Sequence, residues 1–227
     1  MTDSNQPPAI KRLVILVSGG GSNLQSLIDG CANGDINANV SAVISNNPAA
    51  GGLQRAANAG IPNLAIDHRA FDSRESFDEA LNELINSFTP DLVILAGFMR
   101  ILTPNFVNQY LGRMMNIHPS LLPAYPGLHT HKRAIEAGDK QAGATVHFVT
   151  PELDGGPSII QARITIETSD NEDSLASKVL IQEHKIYPEA VKWFCDDRLV
   201  MKTGSAIFDK KEIPEQGIFF NHIERSS

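Results

Sequence analysis

Along the chain, apolar residues gather in short runs stopped by glycine or polar residues, and between those runs they recur at helical spacing. The first run, residues 12–18 (RLVILVS), is rich in branched side chains and ends on Gly19, Gly20 and Gly21. A short unbroken apolar run cut off by glycine is the pattern of a strand buried on both faces. Directly behind it, Leu24, Leu27 and Ile28 share one face of a helix. The alternation repeats. Strands are predicted at 40–45, 63–66 and 91–96, and helices at 52–58 and 73–88, the latter with Phe77, Leu81, Leu84, Ile85 and Phe88 in helical register. Strand–helix units at this spacing imply an α/β protein, a Rossmann-like, mostly parallel sheet flanked by helices.

After Gly97 the rhythm changes. Residues 113–117 read as a strand and 118–131 as an irregular stretch rich in Pro, Gly and His. Two further strands, 144–149 and 158–166, are joined by a loop holding Pro151, Asp154, Gly155 and Gly156. Residues 171–194 form the longest helix expected, with Asp170 or Asn171 as its cap and Glu172 and Asp173 at its positive end. The C-terminal part is thus expected to add antiparallel strands and a long helix. Residues 1–9 read as a flexible leader, 10–227 as a single domain of two lobes, and the end of the chain from 196 is weakly patterned.

Composition narrows the field of partners. A net charge of -7 repels phosphate backbones, so nucleic acid is not expected as a partner, although a local nest of N–H groups still holds a small anion. The polar start of the chain lacks the apolar core of a signal peptide, and no apolar run approaches the ~20 residues that cross a bilayer. Cys31 and Cys195 read as reduced thiols. A cytoplasmic protein without membrane contact is the expectation.

Three segments carry chemistry. Ser18-Gly19-Gly20-Gly21-Ser22-Asn23 joins a predicted strand to a predicted helix. Glycine lets the backbone approach a ligand, and the helix N-terminus behind it offers unpaired N–H groups and a positive dipole, together an anion site; the plainer alternative is a tight turn. The spacing Gly19-x-Gly21-x-x-Leu24 lacks the third glycine of a dinucleotide site, and the second strand ends Ile44-Ser45-Asn46 without an acid for a ribose diol. No Gly-Lys-Ser/Thr follows for a P-loop, so a monophosphate is the expected ligand.

The second segment is Asn116-Ile117-His118-Pro119-Ser120. Residues two apart on a strand project to the same side, and an amide paired with an imidazolium suits an oxyanion. Pro119 turns the chain out of the sheet, which leaves His118 at the C-terminal rim where open α/β sheets bind ligands. The alternative is a hydrogen-bonded structural histidine. The third segment, Leu153-Asp154-Gly155-Gly156, is either a simple turn or, if it folds toward His118, a carboxylate that holds the imidazole protonated. His68, His129, His131, His147, His184 and His222 show no recognised metal-ligand spacing, and no metal is expected. Met99, Met114 and Met115 read as core fillers.

Five separated segments, VSGGGSNLQSLID, LAGFMRILTPNFV, NIHPSLLPAYPGLHTH, VHFVTPELDGGPSIIQ and QEHKIYP, occur in this order. Together they resemble the phosphoribosylglycinamide formyltransferases across nearly the whole chain. The resemblance implies transfer of the formyl group of 10-formyltetrahydrofolate, as co-substrate, to the amine of N1-(5-phosphoribosyl)glycinamide in de novo purine biosynthesis. It implies that Gly21, Ser22 and Asn23 bind the ribonucleotide phosphate, with Glu183 near the ribose, and that Asn116, His118 and Asp154 are catalytic. It further implies a folate site formed by Arg74, Met99, Arg100, Ile101, Leu102, Asn116, Thr150, Pro151, Glu152, Leu153 and Asp154. On this reading residues 10–110 are the phosphate-binding half, 111–200 the folate and catalytic half, and 201–227 a tail. The partners are small molecules and the protein a monomer or homodimer.

The implied chemistry is direct attack by the neutral amine. Asn116 and protonated His118 stabilise the oxyanion, Asp154 supports His118, and no covalent enzyme intermediate forms. The resemblance departs at Leu180, where a polar residue is usual. Around Asn116 to Ser120 the chain also resembles the methionyl-tRNA formyltransferases and the formyltetrahydrofolate deformylases. The first are expected to add a basic C-terminal domain and the second an N-terminal regulatory domain, and this short acidic chain is read as neither. A non-catalytic nucleotide-binding module would need the phosphate loop but not Asn116, His118 and Asp154.

Overall fold

The unbroken apolar run near the N-terminus is buried on both sides. In β1 (Lys11–Val17), Leu13, Ile15 and Val17 enter one apolar cluster and Val14 and Leu16 another, on the opposite face. The computed structural model describes residues 9–220; the first eight residues of the expected leader, and the end of the tail with His222, lie outside the described residues.

From β1 the chain runs through α1 (Ser22–Ala32), β2 (Ala38–Ser45), α2 (Gly51–Asn58), β3 (Asn63–Ala65), α3 (Arg74–Ser87), β4 (Leu92–Leu95), α4 (Pro104–Gln109) and β5 (Met114–His118). It continues through α5 (Thr130–Glu136), β6 (Gln141–Phe148), β7 (Ser158–Thr165) and the long α6 (Glu172–Cys195). Four short strands follow: β8 (Leu199–Lys202), β9 (Ser205–Phe208), β10 (Lys211–Glu212) and β11 (Ile218–Phe219). The main sheet has eight strands in the order β11-β7-β6-β5-β4-β1-β2-β3. The β3-β2-β1-β4-β5 portion is parallel, β6 and β7 are antiparallel, and β8 to β10 form a separate three-stranded antiparallel sheet.

The expected α/β class and long C-terminal helix are thus observed, with three departures. Helix α4 had no apolar stripe to announce it; its signal is local, Thr103 accepting from Phe106 N and Pro104 in the first turn. The irregular stretch ends at His129, because α5 starts at Thr130. Within the weakly patterned stretch from 196, residues 199–219 contribute four strands: β11 pairs with β7 and covers the edge of the main sheet, while Arg163 lies 3.6 Å over the Phe219 ring.

The two faces of the sheet differ toward β5–β7. Met115, Ile117, Ala144, Val146, Ile160 and Ala162 continue the cluster that α1 and α6 cover. The intervening residues, Asn116, His118, Thr145, His147 and Gln161, are polar and occupy the other face. Here loops rather than helices close the sheet: Thr145 Oγ1 donates to Ser120 O (2.7 Å) and accepts from Leu122 N (3.0 Å).

Candidate active site

Strand order fixes where a ligand fits. β2 and β3 lie on one side of β1, β4 and β5 on the other, so the connections leaving β1 and β4 diverge and open a crevice at their C-terminal ends. Residues 18–23 leave β1, 97–102 leave β4, and His118 ends β5.

Gly21 is the N-cap of α1, with φ 73, and no side chain caps that helix. The first N–H groups of α1 are therefore presented without a side-chain acceptor, a nest suited to an anion. A Cβ on Gly21 would lie 2.8 Å from Gly52 Cα, so the position requires glycine for both space and conformation. Arg55 of α2 donates from Nε to Gly20 O (2.7 Å), bracing the loop with a cation. The Asn23 side chain is committed elsewhere: its Nδ2 donates to Glu183 Oε2 at 2.6 Å, so toward an anion it offers its backbone N–H. Asn23 Oδ1 is buried with no hydrogen-bond partner among the described residues. Burial pushes the Glu183 carboxyl above its usual range, against the pull of the Asn23 bond.

One hydroxyl ties this loop to the next. Ser18 Oγ donates to Asn46 Oδ1 (2.5 Å) and accepts from Met99 N (2.8 Å), joining the ends of β1 and β2 to the segment after β4. Met99 and Ile101, which the sequence placed in the core or at the folate site, are 67% and 58% exposed, and Leu153 is 57% exposed. For Met99 this overturns the core-filler reading. Met114 and Met115 are fully buried, as that reading expects. The Arg100 guanidinium stands 5.6 Å from the Phe77 ring centre, and its buried Nε has no hydrogen-bond partner among the described residues. Leu102 packs against the cluster under α3. Arg74 is exposed at the first residue of α3, Thr150 is half-buried, and Pro151 and Glu152 are exposed.

Asn116, His118 and Asp154 come together. The His118 ring is buried, with Nδ1 3.5 Å from Asp154 Oδ2 and Nε2 2.9 Å from Tyr125 O. Both ring nitrogens face oxygen acceptors, so each has somewhere to donate. Asp154 is not a passive turn residue. It adopts φ 52, in the left-handed region, and Oδ2 also accepts from Gly127 N (2.8 Å). A Cβ on Gly156 would run into the carbonyl oxygen of Phe148, so the loop can fold back over the sheet only with glycine there.

Sequence reading passed over His147. It lies across from Asn116 in the β5–β6 ladder, its Nε2 is 3.2 Å from Asn116 Nδ2, and its Nδ1 donates to Phe148 O (2.9 Å). Its signal was available: two before Val149 on a predicted strand, it shares the polar face with Thr145. Tyr187 of α6 was also missed; its buried hydroxyl is 2.9 Å from Leu95 O and 3.0 Å from Met115 O, clamping β4 to β5 beside Asn116.

A cavity of about 400 Å³ lies beside the Asp154–Gly156 loop, walled also by Leu122, Pro123, Ala206, Glu212 and Ile213. Of the expected folate residues only Asp154 lines it, and its carboxylates suit an anionic donor poorly. Burial pushes the thiols up, Cys31 to about 11 and Cys195 to about 12, so neither is a nucleophile at neutral pH. Among the described residues, no group of three or more His, Cys, Asp or Glu is placed to hold a metal, and no helix is long and apolar enough to cross a membrane.

Comparison with known proteins gives the family. The formyl transferase family profile matches residues 11–191. The phosphoribosylglycinamide formyltransferase of Escherichia coli K12 is 52% identical over 205 residues, 90% of this chain and 97% of that one, and that of Haemophilus influenzae is 44% identical over 208 residues, 92% and 98%. The solved phosphoribosylglycinamide formyltransferase of Coxiella burnetii superposes with a TM-score of 0.89 at 44% identity, covering 93% of this chain and 99% of that one. A crevice with an uncapped helix at one end and a half-buried Asn, a buried His and an Asp at the other sits in a chain that belongs to the formyl transferase family, among the phosphoribosylglycinamide formyltransferases.

Proposed function

We propose that the chain transfers the formyl group of 10-formyltetrahydrofolate to the amine of N1-(5-phosphoribosyl)glycinamide, a step of purine synthesis carried out in the cytoplasm. The observation that carries this reading is the Asp154 carboxylate 3.5 Å from the buried His118 ring, on the strand that also holds Asn116. The uncapped start of α1 at Gly21, Ser22 and Asn23 takes the ribonucleotide phosphate, and Glu183, held by Asn23, takes the ribose hydroxyls. The exposed apolar side chains of Met99, Ile101 and Leu153 offer the surface for the donor's ring system, with Arg74, Arg100, Leu102 and residues 150–152 around it. The 400 Å³ cavity is not assigned to the donor, since it misses this surface and carries Glu212 and Glu215.

The chemistry follows from the donors. The neutral amine attacks the formyl carbon; a C–N bond forms, and the carbonyl oxygen gains charge. Asn116 Nδ2–H and His118 Nε2–H stabilise that oxygen, the latter once the 119–129 loop yields the place now held by Tyr125 O. Asp154 anchors Nδ1 and fixes the ring. The adduct collapses with loss of the bond to N10, and the attacking nitrogen's proton passes to N10 through His118 or a water. Fixing two substrates side by side supplies much of the remaining rate.

Absorbance-monitored formyl transfer from 10-formyltetrahydrofolate to glycinamide ribonucleotide tests the reading directly. Turnover is expected. Ribonucleotide binding with no turnover would make the chain a nucleotide-binding module instead.

A further inference from the structure

We propose that His147 is a positioning residue: its unprotonated Nε2 decides which end of the Asn116 amide faces the reacting centre. The proposal rests on the reading of Asn116 as an oxyanion donor. An amide presents a donor at one end and an acceptor at the other, and only the donor end serves an oxyanion. Asn116 lies on a strand, half-buried, and nothing in its own sequence sets its flip.

The neighbouring ring supplies what is missing. His147 Nδ1 lies 2.9 Å from Phe148 O, an atom that only accepts, so Nδ1 carries a proton. Burial strongly disfavours a second proton on this ring, and the nearby His118 works in the same direction; the Phe148 bond and the Asp154 carboxylate, whose Oδ1 is 3.9 Å from Nε2, pull the other way without prevailing. Nε2 is therefore a bare lone pair. The Asn116 atom 3.2 Å away must be Nδ2, donating one of its two N–H bonds. The second N–H of the same nitrogen is left for the substrate oxygen. If Nε2 were protonated, it would turn its N–H to Asp154 and to Asn116 Oδ1, and the amide would flip away from its task.

Two substitutions separate this role from plain packing. His147→Asn retains a donor near the Nδ1 position for Phe148 O but loses the acceptor toward Asn116. His147→Gln places an oxygen near the Nε2 position and restores the acceptor. His147→Asn is expected to lower kcat by about 10- to 100-fold, approaching the loss of Asn116→Ala, with little change in ribonucleotide KM. His147→Gln is expected to recover most of that rate. In an Asn116→Ala background, His147→Asn should cost nothing further, because the amide it positions is gone.

A full additional loss in that background, or wild-type kcat in His147→Asn, overturns the proposal. If Asn116→Ala itself keeps wild-type kcat, the donor reading falls and takes this proposal with it. Should His147→Asn fail to fold, ¹⁵N NMR of the wild-type imidazole decides the matter. A proton on Nδ1 and none on Nε2 at neutral pH is expected, and the opposite tautomer sinks the proposal.

Discussion

The two ends of the crevice are made of different material. At the 18–23 end the groups proposed to bind are backbone N–H groups at the start of α1, shaped by Gly21 and braced by Arg55. At the 116–154 end they are side chains: an amide and an imidazole on β5, a second imidazole on β6, and a carboxylate on a loop that folds back to meet them. A backbone site fails through shape and a side-chain site through chemistry. Damage at the first end should therefore appear in binding, and damage at the second in turnover.

The largest effect belongs to the side-chain end. Asn116→Ala and His118→Ala should each lower kcat by about 10²- to 10³-fold, the cost of one oxyanion donor, while ribonucleotide KM moves only a few-fold. Steady-state kinetics with each substrate varied would check it. A large rise in KM with kcat intact would show that the two ends do not divide the labour this way. Next in size is Gly21→Ala, which forces a side chain into φ 73 and toward Gly52 Cα. Ribonucleotide KM should rise about tenfold, roughly 1.4 kcal/mol of binding, with the donor KM unchanged. An equal rise in both would mean that the substitution distorts the whole crevice.

The same contrast explains what could be read from the chain before its structure. The 18–23 site is local: strand, glycines and helix start are contiguous, so its elements follow from the run at 12–18 and the stripe at Leu24, Leu27 and Ile28. What sequence does not show there is the commitment of the Asn23 side chain to Glu183, 160 residues away. The 116–154 site is assembled by topology. Asn116 and His118 declare a shared face by their spacing, but His147 joins them only through antiparallel pairing of β5 with β6, a register no motif announces. Met99 failed as a core residue for a related reason: an apolar side chain after a buried strand looks the same whether it enters the core or stands at the rim. The end of the chain hid because β8 to β11 are two to four residues long, too short for periodicity to register.

The smallest effect compares two buried titratable groups, Glu183 at one end and His147 at the other, and their signs oppose. Glu183 is held by burial above its ordinary 4.5, so the fold prefers its protonated form. The stability it contributes is present at low pH and lost as pH rises through its folded value. His147 is held by burial below its ordinary 6.5, so the fold prefers the neutral ring. Its contribution is present above 6.5 and lost as pH falls, because the unfolded chain then binds the extra proton. Near neutrality Glu183 is thus a group that costs stability, in exchange for the ribose contact proposed for it. Glu183→Gln keeps an oxygen for Asn23 Nδ2 and removes the buried charge. It should raise Tm at pH 7 by about 2–4 °C, equivalent to about 1 kcal/mol, with the gain shrinking toward pH 4, while ribonucleotide KM rises. His147→Gln should flatten the fall of Tm below pH 6.5. Thermal melts from pH 4 to 8 would read both slopes. A Glu183→Gln protein that is less stable at pH 7 would mean that the Asn23 bond outweighs desolvation, and that this end of the crevice is held together by the very charge taken here to strain it.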